Sequence, residues 1–189
     1  PPDEAIDQAD SQVDRLLGEG WEPGQIALLV TGTRHQLQKE ILGYHGWDSY
    51  WDGFFAADEV FYGHVLGFKG LERPVVVLAV NGLRDESRGR EYLYVGLSRA
   101  RSCLVVCGDL DQIAAVGGAG LRRRLQASME RPVLYRAGEG SGRPGGDRAA
   151  WAIRGRSVSA MVMTNRDRID RGMGYLASGL GPFVNELMA

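Results

Sequence analysis

Apolar positions along the chain change period several times, and each change marks an element. Ala5, Ile6, Ala9, Val13, Leu16 and Leu17 recur at three- and four-residue spacing, which predicts an amphipathic helix over residues 3–18. Gly18 and Gly20 end it, and Trp21-Glu22-Pro23-Gly24 turns the chain. Ile26 to Val30 is an unbroken apolar run, as expected of a strand buried on both faces. After the polar turn Thr31-Gly32-Thr33, residues 34–42 read as a helix with Leu37 and Ile41 inward. An aromatic and acidic stretch from Tyr44 to Asp58 leads into a short strand, Glu59 to Tyr62. Val75 to Val80 carries three consecutive valines, whose branched side chains favour a pleated strand buried on both sides. Residues 86–100 read as a helix with Tyr92, Leu93 and Leu97 at core spacing, followed by a buried strand, Leu104 to Cys107. Gln112 to Val116 and Leu121 to Met129 are again helical. Strands alternating with helices predict an α/β domain over residues 1–135, with a mainly parallel sheet flanked by helices.

Beyond that domain the composition shifts. Residues 136–162 contain the Gly-, Pro- and Ser-bearing run from Ala137 to Asp147 and read as a flexible linker. Residues 163–189 read as an amphipathic helical tail, with Ile169, Met173, Leu176, Leu180, Phe183, Val184 and Leu187 on one face. Gly172, Gly174 and Gly179 weaken that helix, and Gly181-Pro182 breaks it. The tail has no core of its own, so a protein partner for it is expected.

Composition narrows the classes. A chain of 189 residues with 44% hydrophobic and 24% charged residues fits a soluble globular domain plus a tail. A net charge of −2 argues against a polybasic nucleic-acid binder, so any contact with nucleic acid is local. No apolar run reaches the roughly 18–20 residues that span a bilayer, so no membrane partner is expected. No signal peptide opens the chain, which points to a cytoplasmic protein. Cys103 and Cys107 lie on one face of one strand, too far apart to bond, and read as reduced core residues rather than metal ligands.

Two short motifs carry the chemistry. Gly67-Phe68-Lys69-Gly70-Leu71-Glu72 runs into the valine strand, and Tyr94-Val95-Gly96-Leu97-Ser98-Arg99-Ala100-Arg101 runs into the next. Each sets charged groups at the rim of a buried sheet. Gly70 permits close backbone approach or a positive φ. Lys69 is placed to attract phosphate, and Glu72 can accept hydrogen bonds from a ribose hydroxyl. Arg99 ends a helix whose other face is apolar; it suits either a phosphate contact or a helix C-terminal cap.

In their order, and each before a buried strand, these motifs resemble the last two nucleotide-facing motifs of the UvrD/Rep-like (superfamily 1) DNA helicases. The resemblance covers about residues 10–110 and implies the second RecA-like (P-loop NTPase-like) domain of such an engine. It implies Arg99 as the arginine finger, Gly70, Glu72 and Lys69 as nucleotide-facing residues, and Lys69 as a link to single-stranded DNA. The family often places an arginine towards the γ-phosphate just after the strand matching Ile26–Val30. Here that position is Thr31, so either Arg34 takes the contact or the contact is absent. The family's Thr-x-His before the motif lysine aligns with His64-Val65-Leu66. His64 is thus either a displaced nucleic-acid contact or a strand-end residue.

The phosphate cradle G-x-x-x-x-G-K-S/T does not occur in these residues, and neither does the dipeptide Gly-Lys. Asp3-Glu4 follows prolines rather than a strand and reads as the favourable acidic start of a helix. Gly108-Asp109-Leu110-Asp111-Gln112 resembles the family's sensor motif but follows the other two motifs, so Asp109 reads as a helix cap. The expectation is therefore half of an ATP site. ATP and Mg²⁺ bind only when a missing N-terminal RecA-like domain completes it, with single-stranded or duplex DNA as substrate. The alternative is a degenerate, non-enzymatic RecA-like module that binds a partner or nucleic acid. The aromatic stretch Tyr44 to Tyr62 reads as a docking or core-edge surface rather than a base-stacking platform, because Asp48, Asp52 and Asp58 repel phosphate. Arg122-Arg123-Arg124 is a further phosphate candidate. Met163 to Ala189 resembles the opening helix of a HEPN-type domain but lacks its Arg-x4-His motif; a generic docking helix is the other reading.

Overall fold

The five residues of β1 (Ile26–Val30) are all apolar because each face of that strand is covered. The computed structural model describes residues 2–83, 86–130, 152–154 and 159–164. Their order is α1 (Pro2–Gly18), β1, α2 (Gln36–Ala56), β2 (Phe61–His64), β3 (Arg73–Val80), α3 (Glu86–Leu97), β4 (Ala100–Gly108), α4 (Leu110–Glu130), β5 (Ala152–Arg154) and β6 (Ser159–Thr164). The sheet runs β2-β1-β3-β4-β6-β5. The first four strands are mutually parallel, while β6 is antiparallel to both β4 and β5. This is the expected α/β architecture, a parallel sheet flanked by helices.

Strand alternation sorts the core into two layers. Ile26, Leu28 and Val30 of β1, Val75, Val77 and Ala79 of β3, and Cys103, Val105 and Cys107 of β4 face α1, which contributes Ala9, Val13 and Leu16. Ala27, Leu29, Val76, Leu78, Val80, Leu104 and Val106 face the other way, towards Tyr50 and Phe54 of α2, Leu93 and Leu97 of α3, and Ile113 and Leu121 of α4. Cys103 and Cys107 are buried on one sheet face, as expected; α1 covers that face, and no disulfide joins them. Burial pushes the Cys107 thiol up to about 12, so it is inert at neutral pH.

His35 ties the two faces together at the start of α2. Its Nδ1 accepts from the Leu37 amide at 3.1 Å, so Nε2 carries the proton directed at Asp10 Oδ2 of α1, also 3.1 Å away. The ring stacks on Tyr62 with centroids 4.6 Å apart. Asp109 caps α4 as expected, with Oδ1 accepting from the amides of Asp111 (3.0 Å) and Gln112 (3.1 Å).

Several expectations change. Strand β2 is Phe61–His64 rather than Glu59 to Tyr62, because its ladder to β1 runs from Ala27↔Phe61 to Val30↔His64. The aromatic stretch from Tyr44 is helical, forming the second arm of α2 beyond a kink at Gly46 (φ 76°, ψ −176°). Helix α2 starts at Gln36, and the turn this sets leaves Leu37 41% exposed while Gln38 is buried and Ile41 half-buried. Two short strands arise where a linker was read over 136–162: β5 lies inside that stretch, and β6 begins in it and runs to Thr164, pairing along the edge of β4. Of the tail read as helix over 163–189, Met163 and Thr164 belong to strand β6, and the remainder lies outside the described residues. Among the described residues no helix is long and apolar enough to cross a membrane.

Gly43 and Gly46 occupy the same helix with opposite requirements. A Cβ meets nothing within 4 Å at either position, but only Gly46 has a positive φ. Gly46→Ala is expected to cost about 1–3 kcal/mol through backbone strain. Gly43→Ala is expected to stabilise by roughly 0.5–1 kcal/mol through helix propensity. Urea unfolding midpoints of the two variants check both signs.

Candidate functional site

The two sequence motifs meet at the amino ends of β3 and β4. A 3₁₀ turn over Val65–Phe68 buries Val65 and Phe68 and delivers the chain to Gly70, whose φ of 87° requires glycine. Lys69 and Glu72 project into solvent. Lys69 Nζ lies 3.8 Å from Glu91 Oε1 of α3, a pair whose side chains are 72% and 49% exposed and therefore weakly bound. One residue beyond Glu72, the Arg73 amide donates to the Arg99 carbonyl at 3.2 Å, which places the tetrad beside the arginine of the second motif.

Arg99 is half-buried and held by its own helix end. Its Nε donates to the Val95 carbonyl (3.2 Å) and to Ser98 Oγ (3.0 Å), and Nη2 donates to Ser98 Oγ at 2.6 Å. Ser98 Oγ in turn donates to the Val95 carbonyl at 3.1 Å. These contacts cap the C-terminus of α3 and fix the guanidinium in place. Arg73 and Arg101 join it at this rim. Burial and then the nearby Arg101 charge lower the Arg73 pKa. The Arg73 side chain reaches the Phe54 carbonyl and lies over the Phe54 ring, 4.1 Å from its centroid.

Arg34 and His64 lie at the opposite end of the sheet, Arg34 past the carboxyl end of β1 and His64 as the last residue of β2. The β3 segment from Arg73 to Ala79 spans that separation, roughly 20 Å at the usual rise per residue. Arg34 and Arg99 are therefore not brought together, and they cannot reach one phosphate within this domain. His64 Nδ1 accepts from the Leu66 amide at 3.3 Å, and the ring meets Tyr92 edge-on at 5.8 Å. Its strand-end role is thus occupied locally.

The crevice between the carboxyl ends of β1 and β3, where strand order reverses, is the usual ligand position in open α/β sheets. Here it is stitched shut. Asn81 Oδ1 accepts from the Gly32 amide (2.7 Å), Asn81 Nδ2 donates to the Thr33 carbonyl (2.8 Å), and Thr31 Oγ1 donates to the Gly82 carbonyl (3.0 Å). The open concavity lies next to it, between α2 and the ends of β1 and β2. It measures about 720 Å³, and its lining includes Arg34, Gln38, Lys39, Trp47, Trp51 and His64.

Sequence reasoning missed Gln38, Lys39 and Trp47 as members of one concavity, and Arg73 and Arg101 as neighbours of Arg99. The kink at Gly46 assembles the first group. The parallel pairing of β3 with β4 assembles the second. The aromatic stretch, read as a docking or core-edge surface, divides: Tyr50, Phe54 and Phe61 are buried in the core, whereas Tyr44 (84%) and Phe55 (73%) are exposed. Arg122 and Arg123 are exposed on α4. Among the described residues no group of three or more His, Cys, Asp or Glu side chains is placed to hold a metal.

Burial lowers the His64 pKa below its ordinary 6.5. Between the folded and unfolded values the unfolded chain binds more protons, so stability rises with pH through that window and the penalty vanishes above it. Lowering pH from about 7.5 to about 5 is expected to lower the urea midpoint. His64→Asn keeps an acceptor for the Leu66 amide and is expected to flatten the pH dependence; an unchanged slope would exclude His64 as its source. No protein-family model matches the chain, and no curated protein matches it in sequence.

Proposed function

We propose that residues 1–135 act as the second RecA-like domain of an ATP-dependent DNA helicase or translocase, with Arg99 as its arginine finger. The observation that carries this reading is the meeting of the two motifs at neighbouring strand starts, through the 3.2 Å bond from the Arg73 amide to the Arg99 carbonyl. On this reading the rim would offer Arg99, Glu72 and the Gly70 backbone to one ligand.

On this reading a second domain holds the nucleotide, and these residues would close on it. ATP with Mg²⁺, bound there, supplies the phosphoryl group. Arg99 retains N–H donors beyond those used on Val95 and Ser98, and these would neutralise charge spread over the transferring group. A guanidinium already held by Ser98 loses little rotamer freedom on binding. Glu72 would accept from a ribose hydroxyl, and Gly70 would let the backbone approach. Lys69 would leave Glu91 at small cost, since that pair is exposed. DNA would engage the assembled pair of domains.

The helix-capping contacts of Arg99 favour a second reading, a non-enzymatic module that binds a partner or nucleic acid. Reconstitution with the ATPase half decides between the two. Arg99→Ala is expected to lower the reconstituted ATPase rate on the order of 10³-fold or more, and Arg99→Lys to rescue only part of it, because the planar fork is lost. Thermal melts confirm that each variant remains folded. An ATPase rate unchanged by Arg99→Ala overturns the reading and leaves the binding module.

A further inference from the structure

We propose that the concavity beside α2, with the aromatic stripe that leads out of it, docks a short acidic and apolar segment of a partner protein. A bulky apolar side chain of that segment would sit against Trp47 and Trp51, and its carboxylates would meet Arg34 and Lys39. The surface lies at the other end of the sheet from Arg99, and docking there needs no ATPase half.

The concavity of about 720 Å³ has room for a few side chains. Its apolar wall is pre-set. Trp51 stacks on Phe61 (5.7 Å between centroids, 27° between planes), and Trp47 meets Tyr50 edge-on at 5.8 Å. Rings already held in this way lose little freedom when a partner covers them. The apolar surface also continues past the concavity. Trp47, Trp51 and Phe55 recur every four residues along the second arm of α2, so they share one face over about 12 Å of helix. Trp47 is 53% exposed and Phe55 73%. A small molecule in the concavity would leave Phe55 in water, whereas a segment of chain laid along the arm covers all three rings. Continuous exposed apolar surface of this kind marks a contact with another protein, and aromatic side chains concentrate at the centre of such contacts.

Charge sets the chemistry of the partner. Arg34 and Lys39 line the concavity, and none of the lining residues is acidic. Neither cation forms an ion pair with a carboxylate of the described residues. The Arg34 guanidinium lies 5.9 Å from the Trp47 centroid, so a carboxylate next to the docked side chain meets it there. Asp48 and Asp52 are exposed on the same arm, each one residue after a tryptophan of the stripe and outside the lining. They decide between a protein and a nucleic acid. A strand of nucleic acid along the arm would carry a phosphate at every nucleotide past those carboxylates, and each would be repelled. A peptide can place acid over Arg34 and Lys39 alone and remain apolar or basic over the acidic turns. Acidic residues at the Arg34 end, followed by apolar side chains, match the stripe.

Panning a display library of random peptides of about twelve residues on the full chain tests this, followed by calorimetric titration of the selected peptides. The selected sequences are expected to combine Asp or Glu with Leu, Phe or Trp. Trp47→Ala and Phe55→Ala, both at exposed positions, are each expected to weaken binding roughly fivefold or more. The double variant Arg34→Ala, Lys39→Ala is expected to weaken it about tenfold or more and to flatten its dependence on salt. Thermal melts confirm that each variant remains folded. The proposal is overturned if panning yields no binder or only peptides without acidic residues, or if these variants bind the selected peptides unchanged. It is equally overturned if a short oligothymidylate binds more tightly than the peptides and loses that binding in the same variants, which makes nucleic acid the occupant.

Discussion

The backbone of β1, β3 and β4 runs between two apolar layers, where an unpaired N–H or C=O has no water to turn to. Those groups are satisfied by the parallel ladders from Ile26↔Val75 to Val80↔Gly108, and the rest of the arrangement follows from them. Parallel strands need crossovers, and the crossovers place α2 and α3 against the sheet. Burial on both faces also drives charge to the strand ends. The Val75–Val80 run alternates between the α1 layer and the aromatic layer, leaving no interior position for a polar side chain.

The two ends of the sheet consequently carry different chemistry. At the amino ends, Arg73, Arg99 and Arg101 gather around one backbone hydrogen bond between adjacent strands. At the carboxyl ends, Asn81 spends both faces of its amide on the loop after β1, filling the crevice that such sheets usually leave for ligands. The concavity is displaced sideways onto α2, where the kink at Gly46 sets Trp47 and Trp51 against Arg34. A length of strand separates the two regions, so each requires its own functional account.

The strands were legible because two-sided burial writes itself as unbroken apolar runs: Ile26–Val30 matches β1 residue for residue, and Val75–Val80 lies within β3. The cap at Asp109 was legible because a carboxylate before a helix has few other uses. Helix α2 beyond Tyr44 was not legible, since its glycines and aromatics carry little helical preference and its stability comes from packing Tyr50 and Phe54 on Phe61 and Phe68.

The amino-acid sequence by itself determined the α/β class, the three central strands and the two charged motifs, because local period and side-chain type suffice for these. Tertiary structure alone decided which charges meet. The β3–β4 register sets Arg73, the residue after Glu72, beside Arg99, and the path through β1 carries Arg34 to the other end of the sheet. Gln38 became a buried acceptor only when Tyr50, twelve residues on, folded back to receive its amide. Contacts of that kind depend on the direction in which each helix leaves the sheet, and no local pattern encodes it.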